Sequence, residues 1–247
     1  MKHSKDHYIP QVGKVPKGVD ELLANRRPTQ WVVDAFGARG ASVLLAGDSG
    51  AGKSSFLYRM ADAISSGELF MGQLRTIQGK VLIVQADESQ NNAADKLQLM
   101  GINAGFDFLF AEDGWNTIDV GRLSNAVKEG GYRALFLDSV TTLLTERGYS
   151  MRDPEFARPL YDINNLASQL GVLIVCNAHL RKPDGIRQEV SIHDVIGATT
   201  QVGAVSDVWG LWAHSKPEFD DHYVLKCLGK RNCEQGQIWN LQGSAED

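Results

Sequence analysis

Five short, largely apolar runs, each long enough for one buried strand, mark out most of the 247-residue chain. They do not alternate regularly with polar residues, so they indicate strands that are buried on both faces. Segments with helical character separate them, and such helices are the usual connections between parallel strands. The pattern predicts an α/β fold with a mainly parallel, twisted sheet and helices on both faces. The runs are Ser42–Ala46, Lys80–Val84, Phe106–Phe110, Arg133–Leu137 and Gly171–Val175.

The helical segments and both ends of the chain complete this picture. After Asp207 strand follows strand, which predicts antiparallel strands added at the C-terminal edge of the sheet. Residues 1–30 are polar and contain three prolines, so we expect an N-terminal arm or linker before one domain over residues 31–247. The predicted helices are Lys53–Ser65, Gln90–Met100, Val120–Lys128 and one with the face Leu160, Ile163, Ala167 and Leu170; the late strands are Val208–Ala213, His222–Leu228 and Gln237–Leu241.

Composition narrows the function classes. A mean hydropathy of −0.22 and a charged fraction of 22% argue against a disordered chain, and no apolar run approaches the roughly 20 residues of a membrane span. The start has no apolar signal segment, so we expect a cytoplasmic protein without a membrane partner. Cys176, Cys227 and Cys233 are then expected to be free thiols. The net charge of −5 argues against a wholly basic nucleic-acid coat protein but allows a local basic patch.

One glycine-rich segment, between the first apolar run and the first helix, matches G-x-x-x-x-G-K-[ST] in full. Its glycines let the backbone wrap closely around phosphates, and the following helix N-terminus attracts anions. Lys53 would reach the β- and γ-phosphates, and the Ser54 hydroxyl would bind Mg²⁺. A plain glycine-rich turn is the alternative. The predicted ATP-binding residues are Gly47, Asp48, Ser49, Gly50, Ala51, Gly52, Lys53, Ser54 and Ser55; Tyr58 and Arg59, on the same helix, are candidates for the adenine contact.

Two strand ends supply carboxylates. The fourth run ends in Asp138, which is the Walker B pattern for an aspartate that holds Mg²⁺ through water; the alternative is a residue that starts a turn. The second run is followed by Asp87 and Glu88, at the edge where ligands gather in open α/β sheets. One of the two is expected to activate the attacking water, and the sequence does not say which. A helix N-cap and a solvated charge form the alternative interpretation.

Taken in this order, these residues resemble the RecA-like core of P-loop ATPases, and most of all the hexameric plasmid replicative helicases of the RepA kind and DnaB-like helicase domains. The resemblance covers residues 31 to 241. It implies that Asp87 or Glu88 occupies the position of the family's catalytic glutamate. The triplet Asp-Glu-Ser is also similar to the Glu-Glu-Ser of circadian-clock ATPases. The resemblance further implies that His179 senses the γ-phosphate and that Lys230 and Arg231 reach the neighbouring subunit's site as an arginine finger.

The same resemblance implies partners. ATP and Mg²⁺ would lie between subunits of a ring, most simply a homohexamer, that moves along single-stranded DNA during replication. Two segments would line the channel: Leu144–Pro154, with Arg147 and Arg152, and Arg181–His193, with Arg181, Lys182, Arg187 and His193. Upstream, Pro16–Leu23 resembles the end of a Toprim-like domain, which implies a primase module in the parent protein. A regulatory clock-type ATPase without DNA and a recombination or repair ATPase remain as alternatives.

Overall fold

An eight-stranded sheet forms the centre of the protein in a computed structural model that describes residues 16–103, 105–145, 157–181, 189–195, 198–213 and 222–243. A two-stranded ribbon of β1 (Trp31–Val33) and β2 (Gly37–Ala38) precedes it. The eight strands are β3 (Ser42–Gly47), β4 (Val81–Gln85), β5 (Phe106–Phe110), β6 (Ala134–Asp138), β7 (Leu173–His179), β8 (Asp207–Ala213), β9 (His222–Lys230) and β10 (Ile238–Gln242). Their spatial order is β10-β9-β8-β3-β7-β6-β4-β5.

Six neighbouring strands, from β8 to β5, run parallel, and β9 and β10 pair antiparallel at one edge. The predicted mainly parallel sheet with antiparallel C-terminal strands is therefore confirmed. One detail of that prediction was wrong: the segment after Asp207, β8, pairs in parallel with β3, and only the strands after it are antiparallel. An apolar strand flanked by two others looks the same in sequence whichever way its neighbours run.

Helices cover both faces of the sheet, as predicted. The α-helices of the described residues are α1 (Val19–Ala24), which is exposed, α2 (Lys53–Ser66), α3 (Gln90–Leu99), α4 (Val120–Gly130), α5 (Val140–Thr145), α6 (Arg158–Leu170) and α7 (Ala198–Ala204). On β3, Val43 and Leu45 face the α2 side, whereas Leu44 and Ala46 face the side covered by α4, α5 and α6. Both faces of this strand are thus buried, which is why its sequence is apolar at every one of these positions.

The register of the parallel strands brings their carboxyl ends to one edge. Gly47, the last residue of β3, pairs with His179 of β7 and with Leu211 of β8. Gln85, the last residue of β4, pairs with Asp138, the last residue of β6. The segments that follow β3, β7, β6 and β4 therefore begin side by side.

Two further sequence predictions concern the cysteines and the chain's N-terminal part. The structure pairs Cys227 of β9 with Cys233, so the prediction of free thiols was wrong for these two and is confirmed for buried Cys176. The reason is that the turn after β9 returns within six residues and brings the two sulfurs together.

Within residues 16–30, α1 has no buried residue. Among the residues that the structure describes, no helix combines the length and apolarity that crossing a membrane requires.

Candidate active site

The glycine-rich segment forms a loop between β3 and the first turn of α2. Gly50 and Gly52 have φ values of 80° and 76°, in the left-handed region that favours glycine. Gly47 is required for a different reason, because a Cβ there would lie 2.6 Å from the carbonyl oxygen of Leu211. The loop therefore has the tight path, next to a helix N-terminus, that suits phosphate binding.

Lys53 begins α2 and folds back over this loop. Its Nζ donates hydrogen bonds to the carbonyl oxygens of Gly47, at 3.0 Å, and Asp48, at 2.8 Å. The side chain is buried, and this burial lowers the pKa of Lys53, against the opposing effect of the carboxylates of Asp138, Asp87 and Asp48. The ammonium group thus lies at the loop, where a phosphate oxygen could replace the two carbonyl acceptors.

Asp138 is the most deeply buried carboxylate of the site, with 1% of its surface exposed. Its Oδ1 accepts a hydrogen bond from Asn177 Nδ2 at 2.7 Å, and its Oδ2 accepts one from Gln85 Nε2 at 3.0 Å. The Ser54 side chain also hydrogen-bonds to it. Burial raises the pKa of Asp138, and these three hydrogen bonds oppose that effect.

This surrounding fits a divalent cation. A buried carboxylate is stabilised by a nearby positive charge. Mg²⁺ prefers oxygen ligands, and it binds a hydroxyl or a carboxylate either directly or through one of its bound waters. Asn177 Oδ1 is buried and has no hydrogen-bond partner among the described residues, which leaves an acceptor beside the carboxylate for a water of a hydrated ion. Ser54 and Asp138, the two predicted metal residues, are therefore brought together as expected.

Asp87 faces the same space from the segment after β4. Its Oδ1 accepts hydrogen bonds from the hydroxyls of Ser139, at 2.9 Å, and Thr142, while Oδ2 lies 3.4 Å from His179 Nε2. Burial by itself would raise the pKa of Asp87, but the hydrogen bonds from His179, Thr142 and Ser139 outweigh it and lower this pKa to about 2. Asp87 is thus a fixed, ionised acceptor beside the phosphate loop.

Glu88 points elsewhere. Its Oε1 accepts hydrogen bonds from the Tyr58 hydroxyl and from Gln85 Nε2, and its Oε2 forms an ion pair with Lys96 Nζ at 2.6 Å. The exposed fraction of its side chain is 12%, against 26% for Asp87. Asp87 and Glu88 lie in a bend after β4, and their side chains reach different partners, which separates the two carboxylates. Tyr58, a candidate for the adenine contact, is fully buried and bound to Glu88 instead.

A cavity of about 470 Å³ adjoins the phosphate loop on the side of β9 and β10. Its walls include Gly52 and Ser55 of the loop and helix, Arg59 of α2, Tyr223 of β9 and Leu241 of β10. An aromatic ring, a guanidinium and an apolar side chain are suitable surfaces for a planar base. Of the two adenine candidates, Arg59 therefore lines a space of the right kind and Tyr58 does not.

The predicted arginine finger lies at the other edge of the sheet. Asp207 accepts hydrogen bonds from the backbone N–H groups of Arg231, Asn232 and Cys233, at 3.1, 2.8 and 3.1 Å. Lys230 is the last residue of β9 and pairs with Asp207. Since Val43 pairs with Asp207 and Gly47 with Leu211, this turn lies about four residues, roughly 13 Å, from the end of β3 that carries the phosphate loop. It is not part of the site formed by its own chain.

The two predicted DNA segments are described only in part. Arg147 and Arg152 of the first, and Lys182 and Arg187 of the second, lie outside the described residues. The ends of the second segment are held together, because Arg181 N donates to Asp194 O at 2.9 Å and Leu180 bridges to Val195. His193 lies in a 3-10 turn, Ile192–Asp194, which Ser191 and Asp194 cap. This segment begins two residues after His179.

Sequence reasoning missed four residues that hold the site: Gln85, Ser139, Thr142 and Asn177. Each is polar and lies at, or just beyond, the carboxyl end of a predicted apolar run or in the helix that follows it. The available signal for Gln85 and Asn177 was an amide side chain just beyond an apolar run. Such a position predicts burial, and a buried polar group needs partners nearby.

A family model described as an AAA domain matches residues 11–185. The chain belongs to this family. The match places it in the AAA/RecA-like superfamily of P-loop ATPases, whose members bind ATP with Mg²⁺, and it includes the phosphate loop, Asp87, Asp138 and His179. No curated protein matches the chain.

The lowered pKa of Asp87 predicts a pH-dependent contribution to stability. The folded state favours the ionised carboxylate, so this contribution is fully present above the pKa of an unfolded aspartate, about 4, and is lost as the pH falls through about 2. We expect the difference in unfolding free energy between the wild type and Asp87→Asn to shrink between about pH 5 and pH 2. Urea denaturation at several pH values measures it, and a constant difference would contradict the prediction.

Proposed function

We propose that this AAA domain is the ATP-hydrolysing motor of a ring-forming DNA helicase that acts in plasmid, phage or chromosomal replication in the cytoplasm. The observation that carries the ATPase part is the convergence of Lys53, Ser54, Asp138, Asp87 and His179 at one edge of the sheet. The helicase part rests on the resemblance of the motifs and their order to replicative helicases.

ATP binding would use the phosphate loop. Its backbone N–H groups and the N-terminus of α2 would hold the phosphates, and Lys53 Nζ, released from the carbonyl oxygens of Gly47 and Asp48, would contact the terminal phosphates. Bound Mg²⁺ would neutralise charge on the phosphate oxygens. Ser54 would bind that ion directly and Asp138 through water, with the amides of Asn177 and Gln85 fixing the carboxylate.

Water activation would fall to Asp87 rather than Glu88. Asp87 is the more exposed of the two and faces His179, whereas Glu88 is engaged by Tyr58, Gln85 and Lys96. A carboxylate held ionised by Ser139 and Thr142 can orient a water and accept its hydrogen bond as that water attacks. His179, beside both Gly47 and Asp87, would sense loss of the γ-phosphate and pass the change to the segment that begins at Arg181.

The first test measures ATP hydrolysis with and without single-stranded DNA. We expect a rate that depends on Lys53, because Lys53→Ala removes the cation at the phosphates, and that DNA stimulates severalfold. Stimulation should weaken as salt increases, since contacts to the DNA backbone release counterions. His179→Ala should keep ATP binding and lose the stimulation. A Lys53-dependent rate that ignores DNA would favour the regulatory ATPase instead, and filaments rather than rings in electron micrographs would favour a recombination or repair ATPase.

A second test separates the two carboxylates. Asp87→Asn should lower kcat by about 100-fold or more with little effect on ATP binding, because it removes an acceptor for the attacking water. Glu88→Gln should lower stability through the lost ion pair with Lys96 and retain most of the hydrolysis rate. The comparison uses steady-state kinetics together with binding of a fluorescent ATP analogue. Equal losses of kcat in both variants would argue against this assignment.

A third test addresses the ring and the arginine finger. The Arg231 turn lies away from its own phosphate loop, so the proposed arginine finger would act on a neighbouring subunit's ATP. We expect Arg231→Ala and Lys53→Ala each to lose about 1000-fold in activity, and their mixture to recover part of it, because some interfaces then join an intact loop to an intact finger. Hydrolysis by the mixed sample measures this recovery, and light scattering reports the number of subunits. No recovery in a mixture that forms rings would exclude the trans-acting role.

A further inference from the structure

One amide, Gln85, contacts two of the acidic side chains around the candidate active site, those of Asp138 and Glu88. It is the last residue of β4 and is fully buried. Its Nε2 donates to Asp138 Oδ2 at 3.0 Å, to the Tyr58 hydroxyl at 2.9 Å and to Glu88 Oε1 at 3.2 Å. Gln85 thus holds the carboxylate of Asp138, which would face the metal ion, in place.

The other end of the same amide holds the segment that carries the water-activating carboxylate. Gln85 Oε1 accepts hydrogen bonds from the backbone N–H of Asp87, at 2.8 Å, and from that of Glu88, at 3.2 Å. Both lone pairs of the oxygen are therefore used, and three acceptors share the two N–H groups. A turn held in this way cannot shift without breaking its hydrogen bonds to Gln85, and these are costly to lose because the Gln85 side chain is buried.

We propose that Gln85 is a positioning residue that fixes the metal-binding carboxylate of Asp138 and the Asp87 segment relative to each other. This inference rests on the proposed ATPase function. Gln85 touches neither phosphate nor metal in this role; it sets the distance between the group that holds Mg²⁺ and the group that orients water.

The chemistry of the position explains why an amide is needed. A glutamate would lose both donors and add a charge beside Asp138 and Glu88, and a methionine of similar length would lose every hydrogen bond. An asparagine keeps the amide, but its side chain is one methylene shorter and cannot span both partners. Outer-shell partners of this kind typically change metal affinity or activity by about 10- to 100-fold when they are replaced.

The experiment compares Gln85→Met with a matched control, Asn164→Ala. Asn164 accepts hydrogen bonds from the hydroxyls of Ser42 and Ser206, both at 2.8 Å, at the opposite end of β3, so its loss weakens a polar cluster far from the phosphate loop. Two quantities are measured: the Mg²⁺ concentration that half-saturates binding of a fluorescent, non-hydrolysable ATP analogue, and kcat. We expect Gln85→Met to raise the first by about tenfold and to lower kcat by about 10- to 100-fold. Asn164→Ala should lower only the melting temperature.

Binding of the same analogue in EDTA should be alike in the wild type and Gln85→Met. Within the described part of the chain, Gln85 forms no direct hydrogen bond to the phosphate loop, and its effect on the site passes through Asp138. A folded Gln85→Met protein whose Mg²⁺ requirement and kcat stay within about twofold of the wild type overturns the proposal. If this variant does not fold, Gln85→Asn must show the same two changes; failure of both variants to fold makes Gln85 structural and also overturns it. A wild type that binds the analogue but does not hydrolyse ATP refutes the proposed function, while the Mg²⁺ requirement still decides the role of Gln85.

Discussion

The buried carboxylate of Asp138 is the constraint around which the site is organised. A charge with 1% exposure needs donors or a cation close by, and the strand order supplies donors. Because β6 lies between β7 and β4, an amide reaches Asp138 from each side, from Asn177 and from Gln85. Neither amide carries charge, so the negative potential remains available to Lys53 and to a metal ion. The sheet thus holds the carboxylate in place without neutralising it.

The division of work between Asp87 and Glu88 follows from the same sheet edge. The chain bends directly after β4, and the two side chains diverge: Asp87 meets Ser139, Thr142 and His179, and Glu88 meets Tyr58 and Lys96. The hydrogen bonds that keep the pKa of Asp87 low also keep it a weak base. In the proposed reaction, Asp87 would therefore contribute more by orienting the attacking water than by removing its proton.

Strand runs, most helices and the phosphate loop could be predicted from the sequence, because apolar patterns and a contiguous motif depend on local order alone. The choice between Asp87 and Glu88 could not, since it depends on which partners lie across the sheet, 50 or more positions away for Ser139 and Thr142. The same limit applies to Cys227 and Cys233, whose pairing needs the path of the turn, and to β8, whose direction needs its neighbour. Gln85 looked like an ordinary end of a strand, and its role appears only from its five contacts.

The turn that carries Arg231 is anchored at its backbone, which bears on the proposed role of this residue in a neighbouring subunit's site. Three backbone N–H groups and the Asn232 side chain converge on Asp207, and the bond between Cys227 and Cys233 closes the same turn. A cation that acts on a neighbour's phosphate gains most when its backbone is already fixed, because the ordering cost is then met on folding rather than on assembly. This anchoring lies at the edge of the sheet opposite the phosphate loop, and in the proposed ring it would fix the backbone that carries Arg231 before the subunits assemble.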